Sequence, residues 1–469
     1  MSSKFLITPE SLGSEAFRAA HRVRHAYVAG SMVKAIASEE LVMRMAQAGL
    51  LSYFGSGGLP LARVDEAIRR LVDALGVDAP FGVNLLCNTM RPEKEDETVQ
   101  LLLERGVRRI EASAFTHVTA SLVHYRLAGL ARGADGTPVA ANMIQAKLSR
   151  PEVALQFLSP APEKLVARLL QAGRVTPEQA RLATQVPMAD DICVEADSGG
   201  HTDKGVALCL VPTILRLRDE AMARFQPRLR VRVGAAGGIG SPEAVAAAFV
   251  LGADFVLTGS INQCTVEAGT SDAVKDLLQH AEVQDTEMAP AGDMFELGAR
   301  VQVLRKGLFF PARANKLYEL YRQHESLEQI DAKTRQQIEE KFFGKSFEHV
   351  TAEVESYLKR RSPADWERVA RAPKLKMARV FQWFFARTNR AAIAGEIADK
   401  LNFQIHCGPA MGACNRWLKG TRFESWRERH VDELAELLMR GAATVLSDRF
   451  RALSLAESSY RTAGERDVA

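Results

Sequence analysis

The strongest constraint on the fold is a regular alternation, between about residues 26 and 263, of short apolar runs and segments with helical periodicity. Strict alternation of strands and helices predicts a parallel sheet joined by crossover helices. The runs with the composition of strands are Ala26–Met32, Leu50–Phe54, Phe81–Leu86, Arg109–Ala112, Val139–Ala146, Asp191–Glu195, Arg230–Ala235 and Asp254–Leu257. Eight such units within about 240 residues favour a closed TIM (β/α)8 barrel of the α/β class, with an open doubly wound sheet as the alternative.

The pattern changes after about Asp285, where strand signals fade and helical periodicity continues. The helical segments are Leu317–His324, Ile330–Lys341, Val350–Lys359, Trp366–Arg371, Met377–Phe385 and Val431–Leu453. This change predicts an additional helical domain that acts as a cap or substrate-binding region. The predicted domains are a barrel over residues 1–285, a helical cap over 286–400, and a C-terminal segment over 401–469 that packs back on the barrel.

Composition argues against several classes of function. The 469 residues carry a formal net charge of only +4, which gives no support for binding nucleic acid. None of the six cysteines forms a C-x-x-C pair, which predicts reduced thiols and no disulfide framework or zinc site. No apolar run reaches the roughly 18 residues that a membrane span needs. We therefore expect a cytoplasmic protein that binds neither metal, membrane nor nucleic acid.

Glycine-rich turns follow the last two predicted strands. Gly237 and Gly238 precede a helix that begins at Ser241, and Thr258-Gly259-Ser260 comes directly after the final strand. Glycine lets the backbone approach an anion closely, and a helix N-terminus offers free N–H groups and the positive end of its dipole. These adjacent barrel loops commonly hold a phosphate, although two tight turns without a ligand are the alternative. Because the G-x-G-x-x-G spacing of dinucleotide sites is absent, a mononucleotide such as FMN fits better.

A further loop carries the strongest candidate for proton transfer. Asp197-Ser198-Gly199-Gly200-His201 follows the strand that ends at Glu195, at the rim where barrel enzymes place their catalytic groups. The two glycines permit close approach to a flat ring, and His201 can donate or take a proton near neutral pH. The alternative is a loop histidine that hydrogen-bonds the backbone or a flavin edge without transferring a proton.

Other predicted strand ends are polar for their position. Ala29-Gly30-Ser31-Met32 closes the first strand, Asn84 interrupts an apolar strand, and Lys147 ends the fifth. Asn84 can hydrogen-bond the edge of a flavin ring, and Lys147 can place positive charge near its N1–C2=O, where negative charge collects on reduction. Each residue could equally be a capping residue, but together on one face of a barrel they favour a cofactor site.

Several longer stretches carry a family resemblance that covers nearly the whole chain. They are Tyr27–Met32, Phe54–Leu59, Phe81–Leu86, Met188–Asp203, Gln302–Lys316 and Cys407–Ala413. In these stretches the chain resembles the nitronate monooxygenase-like flavoproteins, which include the FabK-type enoyl reductases. It is most similar to the PfaD-like trans-acting enoyl reductases of polyketide and polyunsaturated fatty acid synthases. The last two stretches separate this branch from simple nitronate oxidases.

The resemblance implies a reaction and a set of site residues. In such enzymes NADPH reduces FMN, hydride passes from the flavin to the β-carbon of an enoyl thioester, and a proton reaches the α-carbon. The residues implied to hold the phosphate are Gly237, Gly238, Gly259 and Ser260. Those implied to surround the ring are Gly30, Met32, Asn84, Lys147 and Gly199. His201 stands where these flavoproteins place a histidine beside the flavin.

The resemblance also implies an acyl carrier protein as partner. The oligomeric state stays open, with a homodimer as one option. Cations that could meet the carrier or the phosphate of its arm are Arg300, Arg305, Lys306, Arg313 and Lys316. Each could also belong to an ordinary basic helix. The turn Cys407–Ala413 is interpreted as a structural corner, with a wall of the acyl tunnel as the sharper alternative.

Two positions depart from the family pattern. Nitronate oxidases carry Glu-Ala-Gly-Gly-His where this chain has Asp197-Ser198-Gly199-Gly200-His201, and the branch favours an aromatic residue where this chain has His406. A nitronate oxidase is therefore the runner-up among enzymes. A scaffold without flavin is the alternative from another class, but the glycines of both phosphate turns argue against it.

Overall fold

The structure, a computed structural model, describes residues 7–89, 91–227 and 230–464. These residues form two compact units. The first, called the barrel unit, contains the described residues up to Asp197, Asp203–Gly269, and those from Gly420 onward. The second, called the helical unit, contains Ser198–Thr202 and Thr270–Lys419.

The barrel unit is built on eight parallel strands that close into a barrel. In chain order they are β1 (Tyr27–Ala29), β2 (Leu51–Phe54), β3 (Phe81–Leu86), β4 (Arg109–Ser113), β5 (Met143–Leu148), β6 (Asp191–Glu195), β7 (Arg232–Ala236) and β8 (Val256–Thr258). Each strand pairs with its neighbour in the sequence, and β1 pairs with β8 to complete the cylinder. The predicted TIM barrel is therefore confirmed, and the open sheet is excluded.

The fifth strand departs most from its predicted boundaries. The predicted run Val139–Ala146 is split, because Pro138–Val139 belongs to a separate antiparallel hairpin and β5 begins only at Met143. Between them, the buried side chain of Asn142 donates hydrogen bonds of 3.0 and 2.9 Å to two carbonyls at the end of the preceding helix. Because these hydrogen bonds hold Asn142 against the end of a helix, strand pairing is interrupted at this residue.

Helices accompany the strands of the barrel unit. The α-helices are Glu15–His21, Glu39–Gln47, Leu61–Leu75, Pro92–Glu104, Ala120–Leu127, Pro151–Leu158, Glu163–Gln171, Pro177–Leu182, Ala207–Phe225, Pro242–Val250, Ser260–Gln263 and Val431–Gly464. The 3-10 helices are Pro9–Ser11, Ala183–Gln185, Arg422–Glu424 and Trp426–Glu428, and the hairpin strands are Ala131–Arg132 and Pro138–Val139. Among the described helices of the chain, none is both long and apolar enough to cross a membrane.

The C-terminal helix Val431–Gly464 packs on a helix of the barrel. A side chain is excluded at Gly441, because a Cβ there would lie 2.5 Å from Cγ of Pro242. An ion pair adds to this attachment, with Nε of Arg44 2.5 Å from Oδ1 of Asp432. These two contacts attach the C-terminal helix to the barrel unit.

A charged cluster closes the N-terminal end of the barrel. Phe17, from the first α-helix, packs into the barrel core with its ring centre 4.5 Å from that of Phe255. From the same helix, Nε2 of His21 lies 2.8 Å from Oδ2 of Asp191, and Nε of Arg232 donates to Oδ1 of Asp191 at 2.6 Å. Burial opposes the charged carboxylate, but Arg232 and His21 outweigh burial and lower the pKa of Asp191 to about 2.

The helical unit has a core of its own, as the predicted additional helical domain requires. Its α-helices are Asp272–Leu278, Phe310–Gln323, Ala332–Gln337, Phe347–Arg361, Pro363–Arg371, Pro373–Ala394 and Ala410–Leu418. A π-helix spans Ile338–Phe343, and the 3-10 helices are Phe295–Leu297, Leu327–Gln329 and Ile397–Asn402. The largest buried side chains of the core are aromatic, and they are Phe295, Phe310, Phe342, Phe343, Phe347, Phe381, Phe384 and Phe385.

A three-stranded antiparallel sheet also lies in the helical unit, contrary to the prediction that strands end near Asp285. Thr286–Pro290 pairs with Arg300–Leu304, which pairs in turn with Gly200–His201. Strands of five, five and two residues give an alternation too short to recognise in a sequence dominated by helices.

The boundaries of the two units differ from those of the predicted domains. The helical unit begins at Thr270 instead of 286, and it continues to Lys419 instead of 400. Residues 401–419 belong to the helical unit, and the carbonyl of Ile405 accepts a hydrogen bond of 2.9 Å from the amide of Leu304, on the sheet of that unit.

We predict that Arg232→Met lowers the free energy of unfolding at pH 7 by about 3 kcal/mol, because it leaves the buried Asp191 carboxylate without its main partner. Since the pKa of Asp191 is lowered to about 2, this stabilisation is present above the ordinary aspartate pKa of about 4 and is lost as the pH falls toward 2. Urea denaturation followed by circular dichroism measures the change.

The matched control is Arg230→Met, which removes an exposed arginine 3.2 Å from the exposed Asp219. A surface pair of this kind is expected to change the free energy by less than about 0.5 kcal/mol. Equal values for the two variants at pH 7 would contradict the importance of the buried cluster.

Candidate active site

Two glycine turns at the C-terminal ends of β7 and β8 form an open cradle in the barrel unit. Gly237 and Gly238 have φ values of +85° and +72°, in the left-handed region that favours glycine. A Cβ at Gly237 would lie 2.6 Å from the carbonyl carbon of Ala196, whereas a Cβ at Gly238 or Gly259 would meet nothing within 4 Å. The structure therefore leaves open space in front of Gly238 and Gly259, where the phosphate is predicted.

The segment after β1 is tied to two other strands of the barrel. The amide of Gly30 donates to the carbonyl of Thr258 at 2.9 Å. The amide of Ser31 donates to Oε1 of Glu111 at 3.4 Å, and the Ser31 hydroxyl donates to Oε2 of the same carboxylate. The carbonyl of Met32, two residues beyond Gly30, accepts from a later amide of its own loop at 3.2 Å. The turn predicted to meet the cofactor is thus fixed by neighbouring barrel residues.

Asn84 and Thr258 direct their polar atoms into the barrel wall. Nδ2 of the buried Asn84 donates to the carbonyl of Glu111 at 3.0 Å and to the Ser113 hydroxyl at 2.9 Å, so any contact with a ligand falls to its amide oxygen. Oγ1 of Thr258, which is fully buried, lies 2.5 Å from the hydroxyl of Tyr27. Thr258 is therefore placed to support the turn at Gly259, with its backbone nearest to the cradle.

Lys147 lies between two carboxylates on the neighbouring strands. Its Nζ is 3.9 Å from Oε2 of Glu111 on β4 and 3.8 Å from Oε1 of Glu195 on β6. Burial opposes the charged ammonium, but Glu195 and Glu111 outweigh burial and raise the pKa of Lys147 above its ordinary value. Burial also raises the pKa of the Glu111 carboxyl, with Lys147 acting in the opposite direction. The predicted cation at the end of β5 therefore remains charged at neutral pH.

His201 lies in the helical unit, on the two-residue strand that pairs with Arg300–Leu304. Its Nε2 is 3.2 Å from Oδ1 of Asp293, and roughly half of the His201 side chain is exposed (47%). Burial opposes ionisation of Asp293, but the contact with His201 outweighs burial and lowers the pKa of Asp293. An oriented imidazole beside a carboxylate can hold and pass a proton.

The turn that contains Cys407 and Gly408 supports the histidine loop. A Cβ at Gly408 would lie 2.8 Å from the amide nitrogen of Gly199 and 2.9 Å from the carbonyl carbon of Ser198. Nε2 of Gln302 donates to the carbonyl of Ser198 at 2.8 Å, which fixes the same loop from the sheet. The interpretation of this turn as a structural corner explains why a glycine is present at position 408. That the turn forms a wall of the acyl tunnel stays a prediction.

The cations predicted to meet a carrier have partners within the helical unit. Arg300 donates to the carbonyl of Met288 at 2.6 Å, and Nζ of Lys306 lies 3.3 Å from Oδ2 of Asp285. The others that also have local partners are Arg305, Arg313 and Lys316. An incoming anion would have to share these cations with those partners.

Two carboxylates of these clusters were not singled out from the sequence. Glu111 lies between the apolar residues Ile110 and Ala112 in β4. Such alternation usually indicates that the polar residue faces solvent, but closure of the barrel turns the face with Glu111 inward. Asp293 lies in a loop nearly a hundred residues after His201, so only the folded chain brings them together. The charge between the apolar residues Ile110 and Ala112 was the available signal for Glu111.

Comparison with protein families gives two matches. Residues 14–307, more than half of the chain, match the nitronate monooxygenase family. Residues 324–403 match the inserted helical domain of acyl-carrier-protein S-malonyltransferase. The second match lies within the helical unit.

Curated relatives are components of biosynthetic systems. Polyketide biosynthesis protein PksE of Bacillus subtilis (strain 168) is 52% identical over 456 residues, which cover 97% of this chain and 59% of that protein. One of the polyunsaturated fatty acid synthase subunits of Thraustochytrium sp. is 43% identical over 415 residues, which cover 87% of this chain and 28% of that protein. The chain thus spans 59% or less of the length of these two relatives.

Solved structures include a relative of similar length. The enoyl reductase domain of MlnA, from the macrolactin biosynthesis cluster of Bacillus amyloliquefaciens, is 42% identical with a TM-score of 0.91, and the match covers 94% of this chain and 99% of that domain. FabK from Thermotoga maritima is 18% identical with a TM-score of 0.55, and the match covers 93% of this chain and 98% of FabK. This match shows similarity of fold alone. The chain therefore belongs to the nitronate monooxygenase family and, within it, to the PfaD-like enoyl reductases whose sequence stretches it carries.

Proposed function

We propose that this chain is an enoyl reductase that depends on FMN and NADPH. In this proposal it reduces the α,β double bond of enoyl thioesters bound to acyl carrier protein, during polyketide or polyunsaturated fatty acid synthesis. The observation that carries the proposal is the similarity to the enoyl reductase domain of MlnA, at 42% identity over 99% of that domain. The relatives in polyketide and fatty acid systems support the same biosynthetic setting.

The barrel unit supports FMN as the cofactor. Open space in front of Gly238 and Gly259 would admit the terminal phosphate, together with Gly237 and Ser260. The ammonium of Lys147, kept charged by two carboxylates, would face the ring. The other residues proposed to line the ring are Gly30, Met32, Asn84 and Gly199. When bound, FMN supplies hydride transfer between NADPH and the β-carbon of the thioester.

His201 is proposed to hold the proton that reaches the α-carbon. The carboxylate of Asp293 accepts a hydrogen bond from Nε2, which fixes the ring and leaves Nδ1 as the nitrogen that faces away from Asp293. The second anchor is the strand pairing of His201 with Val301, which holds the backbone of the loop. A general acid can donate its proton only if it is correctly oriented toward the substrate, whatever its pKa. These two contacts would provide that orientation.

An acyl carrier protein is proposed as the partner of the helical unit. Phe309, Ile397 and Leu401 are exposed by 50%, 64% and 53%, and the amide of Phe309 donates to the carbonyl of Leu401 at 2.7 Å. Arg305 and Lys306 come four and three residues before Phe309 in the chain. An apolar centre with basic residues at its edge suits a small acidic partner.

The proposed function predicts that the protein with FMN oxidises NADPH only when an enoyl thioester, such as crotonyl-acyl carrier protein, is present. Nicotinamide absorbance follows the reaction, and mass spectrometry of the carrier identifies the saturated acyl group. The runner-up, favoured by the match of residues 14–307 to the nitronate monooxygenase family, predicts oxygen uptake with a nitroalkane and no need for NADPH. That second result would replace the proposal.

The cradle predicts that Gly238→Val raises the Kd for FMN at least about tenfold, or ~1.4 kcal/mol, because the side chain fills the space for the phosphate. Titration of the cofactor-free protein, followed by flavin fluorescence, measures the Kd. Gly173→Val is the matched control, because Gly173 and Gly238 have φ values of +68° and +72° and both face open space. Equal effects of the two variants would place the phosphate elsewhere.

The assignment of His201 predicts that His201→Ala lowers kcat/KM for the carrier-bound enoyl thioester by about 100-fold or more and leaves FMN bound. Steady-state rates and the flavin absorbance of the purified variant test both parts. His349→Ala removes a histidine that also lies beside a carboxylate, 3.1 Å from Glu353, and should have no effect. An unchanged rate for His201→Ala would remove this residue from the reaction.

A further inference from the structure

Glu111 joins two segments that are proposed to contact the cofactor, although its own carboxylate is fully buried in the barrel. One oxygen accepts from the amide of Ser31 at 3.4 Å and the other from the Ser31 hydroxyl. The second oxygen also lies 3.9 Å from Nζ of Lys147. A single carboxylate therefore holds the turn after β1 and the cation of β5.

Stability alone does not explain a carboxylate at this position. Desolvation of an ion costs several kcal/mol. A protein in which well-packed apolar residues replace a buried ion pair is often as stable as the original, or more stable. Lys147 also has Glu195 at 3.8 Å, so the ammonium would keep a counter-charge without Glu111. Two carboxylates around one ammonium hold that ammonium charged more firmly than a single pair does.

The surroundings of Lys147 limit which groups can act on it. The charged or ionisable side chains that face it come from both neighbouring strands: Glu111 on β4, and Glu195 and Cys193 on β6. Burial keeps the Cys193 thiol neutral by raising its pKa. Glu111 is the more deeply buried of the two carboxylates, with its side chain 0% exposed against 21% for Glu195. Its field is therefore screened less by solvent.

We infer that Glu111 is a positioning residue, which fixes both the charge of Lys147 and the place of Ser31 beside the cofactor ring. The inference rests on the proposed FMN site. Glu111 needs no contact with the cofactor or substrate, because it acts through the two groups that it holds. Its role is to keep a positive charge and a fixed turn ready before the cofactor becomes negative on reduction.

The test compares Glu111→Gln with Glu95→Gln in the whole chain. Glu95 is a matched control, because it is also buried (3% exposed), accepts from the Thr119 hydroxyl, and accepts from the amide of Asn88 at 3.3 Å. The first measurement needs no cofactor: the rate of Lys147 acetylation by acetic anhydride, followed by mass spectrometry. Loss of one carboxylate should make more of the amine neutral, and the rate should rise about tenfold in Glu111→Gln only.

The second measurement uses the FMN-loaded protein. Sulfite adds to N5 of a flavin, and positive charge near N1–C2=O favours the adduct, so bleaching by sulfite reports that charge. Lys147 stays charged in Glu111→Gln because Glu195 remains 3.8 Å away, so weaker sulfite binding would report displacement of the ammonium. We expect it to weaken about tenfold in Glu111→Gln and to stay unchanged in Glu95→Gln. In a Lys147→Met background, Glu111→Gln should weaken sulfite binding by no more than about twofold, because its effect passes through Lys147.

Glu111→Asp tests the same idea if the glutamine variant does not fold. It keeps the charge on a shorter side chain, so acetylation and sulfite binding should fall between those of wild type and Glu111→Gln. The inference would be overturned if Lys147 of the Glu111 variants were acetylated at the same rate as in the wild type. It would also be overturned if these variants bound sulfite with the same affinity as the wild type. A wild-type chain that binds no FMN would overturn the proposed function instead.

Discussion

Closure of the barrel is the constraint on which the rest of this molecule depends. With β1 paired to β8, the eight strands have no free edge, and alternate side chains face an interior that holds little water. That interior joins Val28, Tyr53 and Cys193 from three different strands in one core. Any charge on an inward face must therefore find a partner inside the barrel, because an unpaired buried charge costs several kcal/mol. The two ion clusters follow from this requirement.

Strand β6 contributes one residue to each of the two ion clusters. Asp191 and Glu195, at its two ends, lie on the same face of the strand because side chains alternate. Asp191 pairs with Arg232 and His21 where the N-terminal helix closes the barrel, and Glu195 pairs with Lys147 near the cradle. In the first cluster both oxygens of Asp191 have partners, and the cluster supports the fold. The second has an excess of carboxylate around a single ammonium, which is useful only where charge is to be controlled.

The helical unit contributes in a different way, through a short sheet and an aromatic core. His201 is held by its register with Val301 and by the carboxylate of Asp293, so its position is set by the sheet of that unit. Gly408 permits a turn to approach the same loop closely. The loop Ser198–Thr202 therefore has a defined conformation, although its sequence consists of small and polar residues.

Local patterns in the sequence predict the eight strands, the glycine turns after β7 and β8, and the helical character of the later chain. Each of these has a local signal, namely apolar alternation, glycine before a helix cap, or helical spacing. Only the folded chain reveals the break at Asn142, the sheet over Thr286–Leu304, and the partners Glu111 and Asp293. These depend on contacts between residues far apart in the chain, and on which face of a strand closure turns inward, and neither is encoded in a local pattern.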